Sequence, residues 1–575
     1  MAETVADQMV KVLAAAGVER IYGIVGDSLN GFTDALRRDG SIKWLHTRHE
    51  EVAAFAAAGD AHVTGRLAVC AGSCGPGNLH LINGLFDCHR SRLPVVAIAA
   101  HIPSPEIGSG FFQETHPEQL FGECSSYCEM ASSPEQMPRL LEMCIRRAVA
   151  ERCVCVLVIP GDVALRPASD VPVPAASSLL LPPPTITPQA AALAQLAELL
   201  NASKRVTLLC GGGCEGAHDE LMQLAGALQS PVVHALRGKE HVEWDNAYDV
   251  GMTGLIGFSS GYHAMESCDA LLMLGTDFPY QQFYPKGVRI AQVDIRAEAI
   301  GRRTPIELGV LGDVRSTLQA LIPQIGGGRD DKHLRSAVEH YKDARRGLDE
   351  LATGKPGRTL HPQHVTSVVD RLAADDAVFT CDVGLPTVWA ARYLRMNGRR
   401  RLLGSFWHGS MANAMPQALG VQAACPGRQV VSLSGDGGFT MLMGDLLSAK
   451  QLGLPIKVVV FNNGALGFIE LEQKSSGFVD TGTGLENPDF AAMARAVGIH
   501  GVRIEDPAEL EAKMAEALAH PGPVLVDAVV NRMELAMPPK VTAGMAKGFT
   551  LYMLKAVMNG RGDEVVELAR SNLLR

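Results

Sequence analysis

The sequence predicts three doubly wound α/β domains, each on a parallel sheet, followed by an amphipathic helical tail. Two observations carry this. Short runs that are apolar throughout alternate with helix-like segments, and two proline- or glycine-rich stretches cut the chain into near-equal thirds. Length agrees, because 575 residues are too many for one hydrophobic core, and roughly three to four domains are expected at that size.

In the first third the apolar runs are Leu67–Ala71, Val95–Ala100 and Val154–Ile159. The middle third has Val206–Cys210, Ala270–Leu274 and Ile290–Ile295, and the last has Val430–Leu433, Lys457–Phe461 and Val524–Ala528. Helices cover a parallel sheet on both faces, so its strands stay apolar where a half-exposed strand would alternate. The first linker contains DVPVPAASSLLLPPPTITPQ, and the second runs from GGGRDDK near Gly326 to GKPGRTLHP. Proline continues neither a helix nor a central strand, so both stretches read as domain connections. The expected boundaries are 1–182, 183–335, 336–530 and a tail at 531–575.

Composition narrows the function. With 52 basic and 62 acidic residues, the net charge of −10 argues against a nucleic-acid surface. The start, MAETVADQMVKVLAAAGVERIYGI, reads as a helix entering a strand and not as a signal peptide. No apolar run reaches the roughly 18 residues of a transmembrane helix. Thirteen cysteines, an odd count, point to reduced cytosolic thiols. Cys70 and Cys74 lack a second ligand pair at zinc spacing.

The strand QVVSL ends in Ser434-Gly435-Asp436-Gly437-Gly438, and a helix-like stretch follows. Glycines at such a turn let backbone amides approach a phosphate, and the helix dipole favours its charge. The next strand delivers Asn462 and Asn463, the latter 27 residues after Asp436. One helix plus one strand returns the chain to the same sheet edge, so Asp436 and Asn463 are placed to share Mg²⁺ with phosphate oxygens.

In the middle third, Gly211-Gly212-Gly213-Cys214-Glu215-Gly216 satisfies G-x-G-x-x-G, but no acid stands about 20 residues on, which argues against a standard NAD site. Further glycine turns are Gly251-Met252-Thr253-Gly254 and Leu274-Gly275-Thr276-Asp277-Phe278. Asp294 ends a strand, where a carboxylate accepts from a ribose hydroxyl. In the tail, Phe549, Tyr552, Met553 and Ala556 form one helical stripe, and Val565, Val566, Ala569 and Leu573 a second, with Arg561, Arg570 and Arg575 nearby. Such segments lie on a bilayer or cap their own domain.

The paired GDG and NN motifs resemble the thiamine diphosphate enzyme family. That resemblance implies that Asp436, Asn463 and the carbonyl of Ala465 coordinate Mg²⁺, within a cofactor loop running through Gly464, Leu466, Gly467, Phe468 and Ile469. Thr47-Arg48-His49-Glu50-Glu51-Val52-Ala53 matches the family's R-H-E-x-x-A and makes Glu50 the partner of the aminopyrimidine ring. Gly409-Ser410-Met411 matches G-x-M, with Met411 holding the cofactor bent. In the family the glutamate and the metal site meet across a dimer interface, and a tetramer is usual.

RHEEVAAFAAAGDAHVTG, GPGNLHLINGLFDCHR, GMTGLIGFSSGYH and GSFWHGSMANAMPQALG look like the pyruvate-oxidising, quinone-dependent branch of the family. This implies FAD on the middle domain and oxidative decarboxylation of pyruvate to acetate and CO₂, with electrons passing through both cofactors to ubiquinone. Phe468 and Glu472 are then expected in the substrate cavity, completed by Phe112 and Gln113 from a partner subunit. The implied location is cytoplasmic, peripheral on the inner face of a bacterial membrane, with the tail on lipid. The alternative left open is an acetolactate synthase-type carboligase with structural FAD.

Overall fold

The computed structural model describes residues 3–534, 536, 543–559 and 561–573. The first domain carries strands β1 (Arg20–Gly23), β2 (Lys43–His46), β3 (Ala68–Gly72), β4 (Val95–His101), β5 (Tyr127–Met130) and β6 (Val154–Pro160), in sheet order β2-β1-β3-β4-β6-β5. The middle domain holds β7 (Val206–Cys210), β8 (Val232–His234), β9 (Asp249–Met252), β10 (Ala270–Leu274), β11 (Arg289–Asp294) and β12 (Leu308–Leu311), ordered β12-β11-β10-β7-β8-β9. The third comprises β13 (Val378–Cys381), β14 (Arg401–Gly404), β15 (Val430–Gly435), β16 (Lys457–Asn462), β17 (His500–Ile504) and β18 (Val524–Val529), ordered β14-β13-β15-β16-β18-β17.

Neighbouring strands pair in parallel, as in β4 with β6, β7 with β10 and β15 with β16. The first and third sheets wind identically. The middle sheet winds outward in both directions from β7 and β10, and ligands of such sheets bind where the winding reverses. The sequence-predicted strands are all present and lie within a residue or two of their expected ends, as a fold class of three parallel-sheet domains requires. β4, β6 and β10 are buried along their whole length, and each Val, Leu or Ile so buried contributes roughly 1.5–3 kcal/mol. The chain start is the helix Val5–Ala15, closed by a Thr4–Asp7 capping box and followed by β1.

Helix Glu50–Thr64 of the first domain crosses helix Ala414–Ala424 of the third. Small residues permit the approach. A methyl group at Gly59 would strike the Gln417 carbonyl, and one at Gly420 the Ala56 carbonyl. This crossing fixes the first domain against the loop that precedes Ala414.

The tail forms helices Ala543–Met558 and Gly562–Leu573. Its packing corrects the expected orientation of the first stripe. Tyr552 and Ala556 are fully buried with Met533 and Leu568, and Phe549 and Val565 pack on that cluster, whereas Met553 and Val566 face outward. The second tail helix and Met533 supply the apolar partner, and the third domain contributes Lys474, whose Nζ lies 5.2 Å from the centre of the Tyr552 ring. A different edge, Leu551, Leu554, Val557 and Met558, is exposed. Arg561 pairs with Asp480 at 2.7 Å. Arg575 lies outside the described residues, as do the side chains of Arg570 and Leu573. Among the described residues no helix is long and apolar enough to cross a membrane.

Candidate active site

β15 and β16 run side by side with Gly435 opposite Phe461, so Asp436 and Asn463 emerge at one sheet edge. Asp436 opens the helix Asp436–Leu442. Its Oδ2 accepts from the amides of Gly464 (2.7 Å) and Asn463 (3.1 Å) and from Asn487 Nδ2 (2.8 Å), and its Oδ1 from the Gly437 amide (2.8 Å). Asn463 Oδ1 accepts from the Ala465 amide at 3.2 Å. Burial pushes the Asp436 carboxyl up, opposed by the Gly464 amide; a cation beside it favours the ionised form. A carboxylate and an amide oxygen over a glycine floor are the hard donors that Mg²⁺ takes alongside phosphate oxygens, so the donor set fits the ion.

That floor is tight. A methyl at Gly437 would lie 2.6 Å from Leu466 Cδ2 and 3.4 Å from Met411 Cε, so the end of the Met411 side chain lies against the same floor. The loop carrying Gly409, Ser410 and Met411 is tied down by Ser405 Oγ, which accepts from the Ser410 amide (3.0 Å). Asn83 of the first domain donates to Ser410 Oγ (2.9 Å) and accepts from His408 Nε2 (2.8 Å).

A cavity of about 1630 Å³ extends from this seat to the middle domain. Gly409, Met411, Asp436, Gly437, Gly438 and Asn463 line one end, followed by Ala465 through Ile469 and Glu472. Met252, Thr253, Gly254, Asp294 and residues 275–278 line the other. Of the remaining predicted positions, Gly251 and Leu274 stay within their strands, Ser410 is turned to Asn83, and Gly464 borders a separate small cleft.

The turns after β7 and β10 touch where the winding reverses. A methyl at Gly213 would sit 2.7 Å from Gly275 Cα, and one at Gly211 2.5 Å from the Gly275 carbonyl oxygen. Only bare backbone fits there, a cradle suited to a dinucleotide diphosphate. The Gly211–Gly216 stretch enters a short 3₁₀ turn at Gly212–Cys214, and the long helix starts only at His218. Asp277 is buried and accepts from Arg303 Nε (2.9 Å) and from Arg302. Burial pushes the Asp294 carboxyl up, and its Oδ1 accepts from the Arg296 amide at 3.0 Å.

Glu50 and Gln113 stand at the Gly75–Gly77 turn, and neither they nor Phe112 line this cavity. Glu50 starts its helix with Oε2 2.9 Å from His80 Nδ1. A methyl at Gly77 would lie 3.1 Å from Glu50 Oε1, and one at Gly75 2.8 Å from Gln113 Cβ. Cys74 Sγ donates to Gln113 Oε1 at 3.3 Å. Phe112 is 77 % exposed. The Glu50 region and the Asp436 cavity are therefore separate within one chain.

Each domain matches a thiamine pyrophosphate enzyme domain: residues 3–120 the N-terminal TPP binding domain, 193–321 the central domain, and 382–528 the C-terminal TPP binding domain. The chain belongs to the thiamine pyrophosphate enzyme family. It is 37 % identical over 570 residues, 99 % of each chain, to the thiamine pyrophosphate-containing protein YdaP of Bacillus subtilis. It is 32 % identical over 534 residues to the pyruvate oxidase of Lactiplantibacillus plantarum, covering 91 % of this chain and 88 % of that one. To the acetolactate synthase large subunit of Parasynechococcus marenigrum it is 32 % identical over 551 residues, 92 % of this chain and 88 % of that one.

Three residues around this family's cofactor domains carried no readable motif. Asn487 stands in a polar loop and bridges Asp436 Oδ2 and Asn462 Oδ1 (2.8 and 3.0 Å). Asp382, at the end of β13, accepts from the Ala414 amide (2.9 Å) and lines the cavity, with burial pushing its carboxyl to about 7. His80 sits inside the GPGNLH block, and its spacing from Glu50 gave no sign that the two would meet.

Proposed function

We propose that the protein oxidatively decarboxylates pyruvate to acetate and CO₂, with electrons passing through thiamine diphosphate and FAD to membrane ubiquinone. One observation carries this reading: the Asp436–Asn463 seat and the touching glycine turns of β7 and β10 share one cavity, so two cofactors bound there are neighbours. The pyruvate oxidase relative supports the substrate.

Asp436, Asn463 and the Ala465 carbonyl hold Mg²⁺, and the floor of Gly437 and Gly438 admits the diphosphate. Thiamine diphosphate, when bound, supplies an electron sink for the carbon that loses CO₂. Met411 would press against it from above the glycine floor. Glu50 would accept or donate a proton at its ring, with His80 fixing the carboxylate's orientation. Phe468, Ile469 and Glu472 line the substrate end, and Phe468 lies on the electron path between cofactors. Met252–Gly254, Gly275–Phe278 and Asp294 would hold FAD at the middle-domain end, with Gly251 and Leu274 behind them in their strands. Glu50, Phe112 and Gln113 close on the cavity of a second copy, so a homodimer is the smallest active unit and a tetramer the expected assembly. The protein works at the cytoplasmic face of the bacterial membrane, to which the tail brings its exposed edge.

The test is an anaerobic flavin spectrum. Pyruvate bleaches the flavin band and ubiquinone restores it; a flavin that stays oxidised while acetolactate accumulates replaces this reading with a carboligase. The acetolactate synthase relative is the observation behind that second reading. Ending the chain near Gly548 is expected to abolish co-sedimentation with anionic vesicles.

A further inference from the structure

The segment between β14 and the Met411 loop places a tryptophan in the cavity without giving it an obvious task. Trp407 is half-buried and lines the space between the Mg²⁺ seat and the middle domain. The Arg303 guanidinium lies over its ring, 5.9 Å from the centroid. Arg303 is itself anchored, because its Nε donates to Asp277 Oδ1 at 2.9 Å and Asp277 is buried in the turn after β10. The indole is therefore bracketed. Four residues on stands Met411, over the diphosphate floor; behind it stands the middle domain's glycine-lined turn.

Two other large aromatics of the cavity, Trp389 and Phe278, have their rings committed elsewhere, and Phe468 stands at the Glu472 end. Trp389 is buried in the third domain's core, and Phe278 packs edge-on against Tyr280, Phe283 and Tyr284. Trp407 contacts a cation and keeps open surface on the cavity. An electron-rich indole with a guanidinium on one side is suited to a flat, electron-poor heteroaromatic ring on the other.

We propose that Trp407 is a positioning residue that stacks on the flavin ring of the dinucleotide, backed by Arg303 and Asp277. The inference rests on the flavin reading above and adds a direction to it. With the diphosphate at the bare turns of Gly211 and Gly275, the ring end points toward Met411 and the thiamine site, and the adenine end points away. The separation between the two reacting rings is then set by a side chain of the third domain, although the glycine turns of the middle domain hold the rest of the dinucleotide.

The full-length chain, freed of cofactor and titrated with FAD, tests this. Wild type is expected to lose indole emission as FAD binds, and Trp407→Phe to lose most of that quenching while binding FAD within about threefold of wild type. Trp407→Ala removes the stacking contact, worth roughly 0.5–1.5 kcal/mol, so FAD binding weakens about two- to tenfold and the flavin absorption band shifts. ADP, which carries only the adenine end, should bind Trp407→Ala and wild type alike. If FAD binds Trp407→Ala as tightly as wild type with an unchanged flavin band, or if ADP weakens as much as FAD, the proposal is overturned. A wild-type chain that takes up no FAD sinks the flavin reading itself, and the proposal with it. Melting temperature without FAD separates a folding defect in Trp407→Ala from lost stacking, and Trp407→Phe keeps the quenching test available in either case.

Discussion

Replacing Asn487 by alanine tests how the proposed Mg²⁺ seat is held. The Asp436 carboxylate receives four hydrogen bonds, three from the backbone amides of Gly437, Asn463 and Gly464, and one from the Asn487 side chain. The backbone bonds survive any substitution; the fourth does not. A bond to a charged acceptor is worth roughly 1.5–3 kcal/mol, and Asn487 is half-buried, so the lower half of that range applies. About 1.5–2 kcal/mol corresponds to roughly ten- to thirtyfold weaker binding of Mg²⁺ with thiamine diphosphate, in line with what loss of an outer partner costs other metal sites. Isothermal titration of the cofactor-free protein measures this, and its melting temperature should fall by no more than about 3 °C. Asn487→Asp sharpens the test. Burial already pushes Asp436 up, and a second carboxylate raises it further. The ion needs the charged form, so binding in this variant is lost at higher pH than in wild type as pH falls. Wild-type affinity in Asn487→Ala, with an unshifted pH profile in Asn487→Asp, would refute the account.

Three further outcomes are expected. A methyl at Gly548 would overlap the Ser475 carbonyl oxygen, so Gly548→Ala should lift the tail from helix Gly467–Ser475, at the roughly 1–3 kcal/mol typical of overpacking; faster proteolysis of the tail and stronger vesicle binding are the readouts. Glu114 gathers the amides of Gly108, Gly110 (2.6 Å) and Phe111 (3.1 Å), with the Gly108 amide foremost in holding its carboxyl below the usual range. Glu114→Ala should therefore speed amide exchange at those three residues about tenfold and raise the KM for pyruvate, whereas an unaltered KM would detach this loop from the substrate pocket. In wild type the loop's order is present above the ordinary carboxyl range and is lost as pH falls through the depressed value. Burial pushes Asp249 up to about 7. A folded state that holds this proton more tightly than the unfolded chain loses stability as pH rises from about 4 to 7, by up to about 4 kcal/mol. Asp249→Asn should then melt higher than wild type at pH 8 and lose that advantage near pH 4, as calorimetry at the two values will show.

By itself the sequence determined the fold class, the family and the meeting of Asp436 with Asn463 at one sheet edge, because each is written in local pattern. Strands buried on both faces are apolar along their length, and Asp436 and Asn463 are joined by one helix and one strand, so sequence spacing becomes spatial proximity. Gly437, Gly438 and Gly275 were legible for the same reason, since turns at strand ends need bare backbone. What only the tertiary structure decided depends on contacts between distant segments. Asn487 reaches Asp436 from 51 residues away, His80 meets Glu50 from a neighbouring helix, and Asp382 enters through β13; no periodicity records such pairings. The tail shows the limit most plainly. Its apolar stripe was readable from helical spacing, yet periodicity states that a face will be covered and not by what. Tyr552 and Ala556 are buried because the second tail helix and Met533 fold back onto them. The separation of Glu50 from the Asp436 cavity has the same origin. Glu50 and Asp436 each carry a motif, but the crossing of helix Glu50–Thr64 with helix Ala414–Ala424, set by Gly59 and Gly420, leaves Glu50 outside the cavity that Asp436 lines.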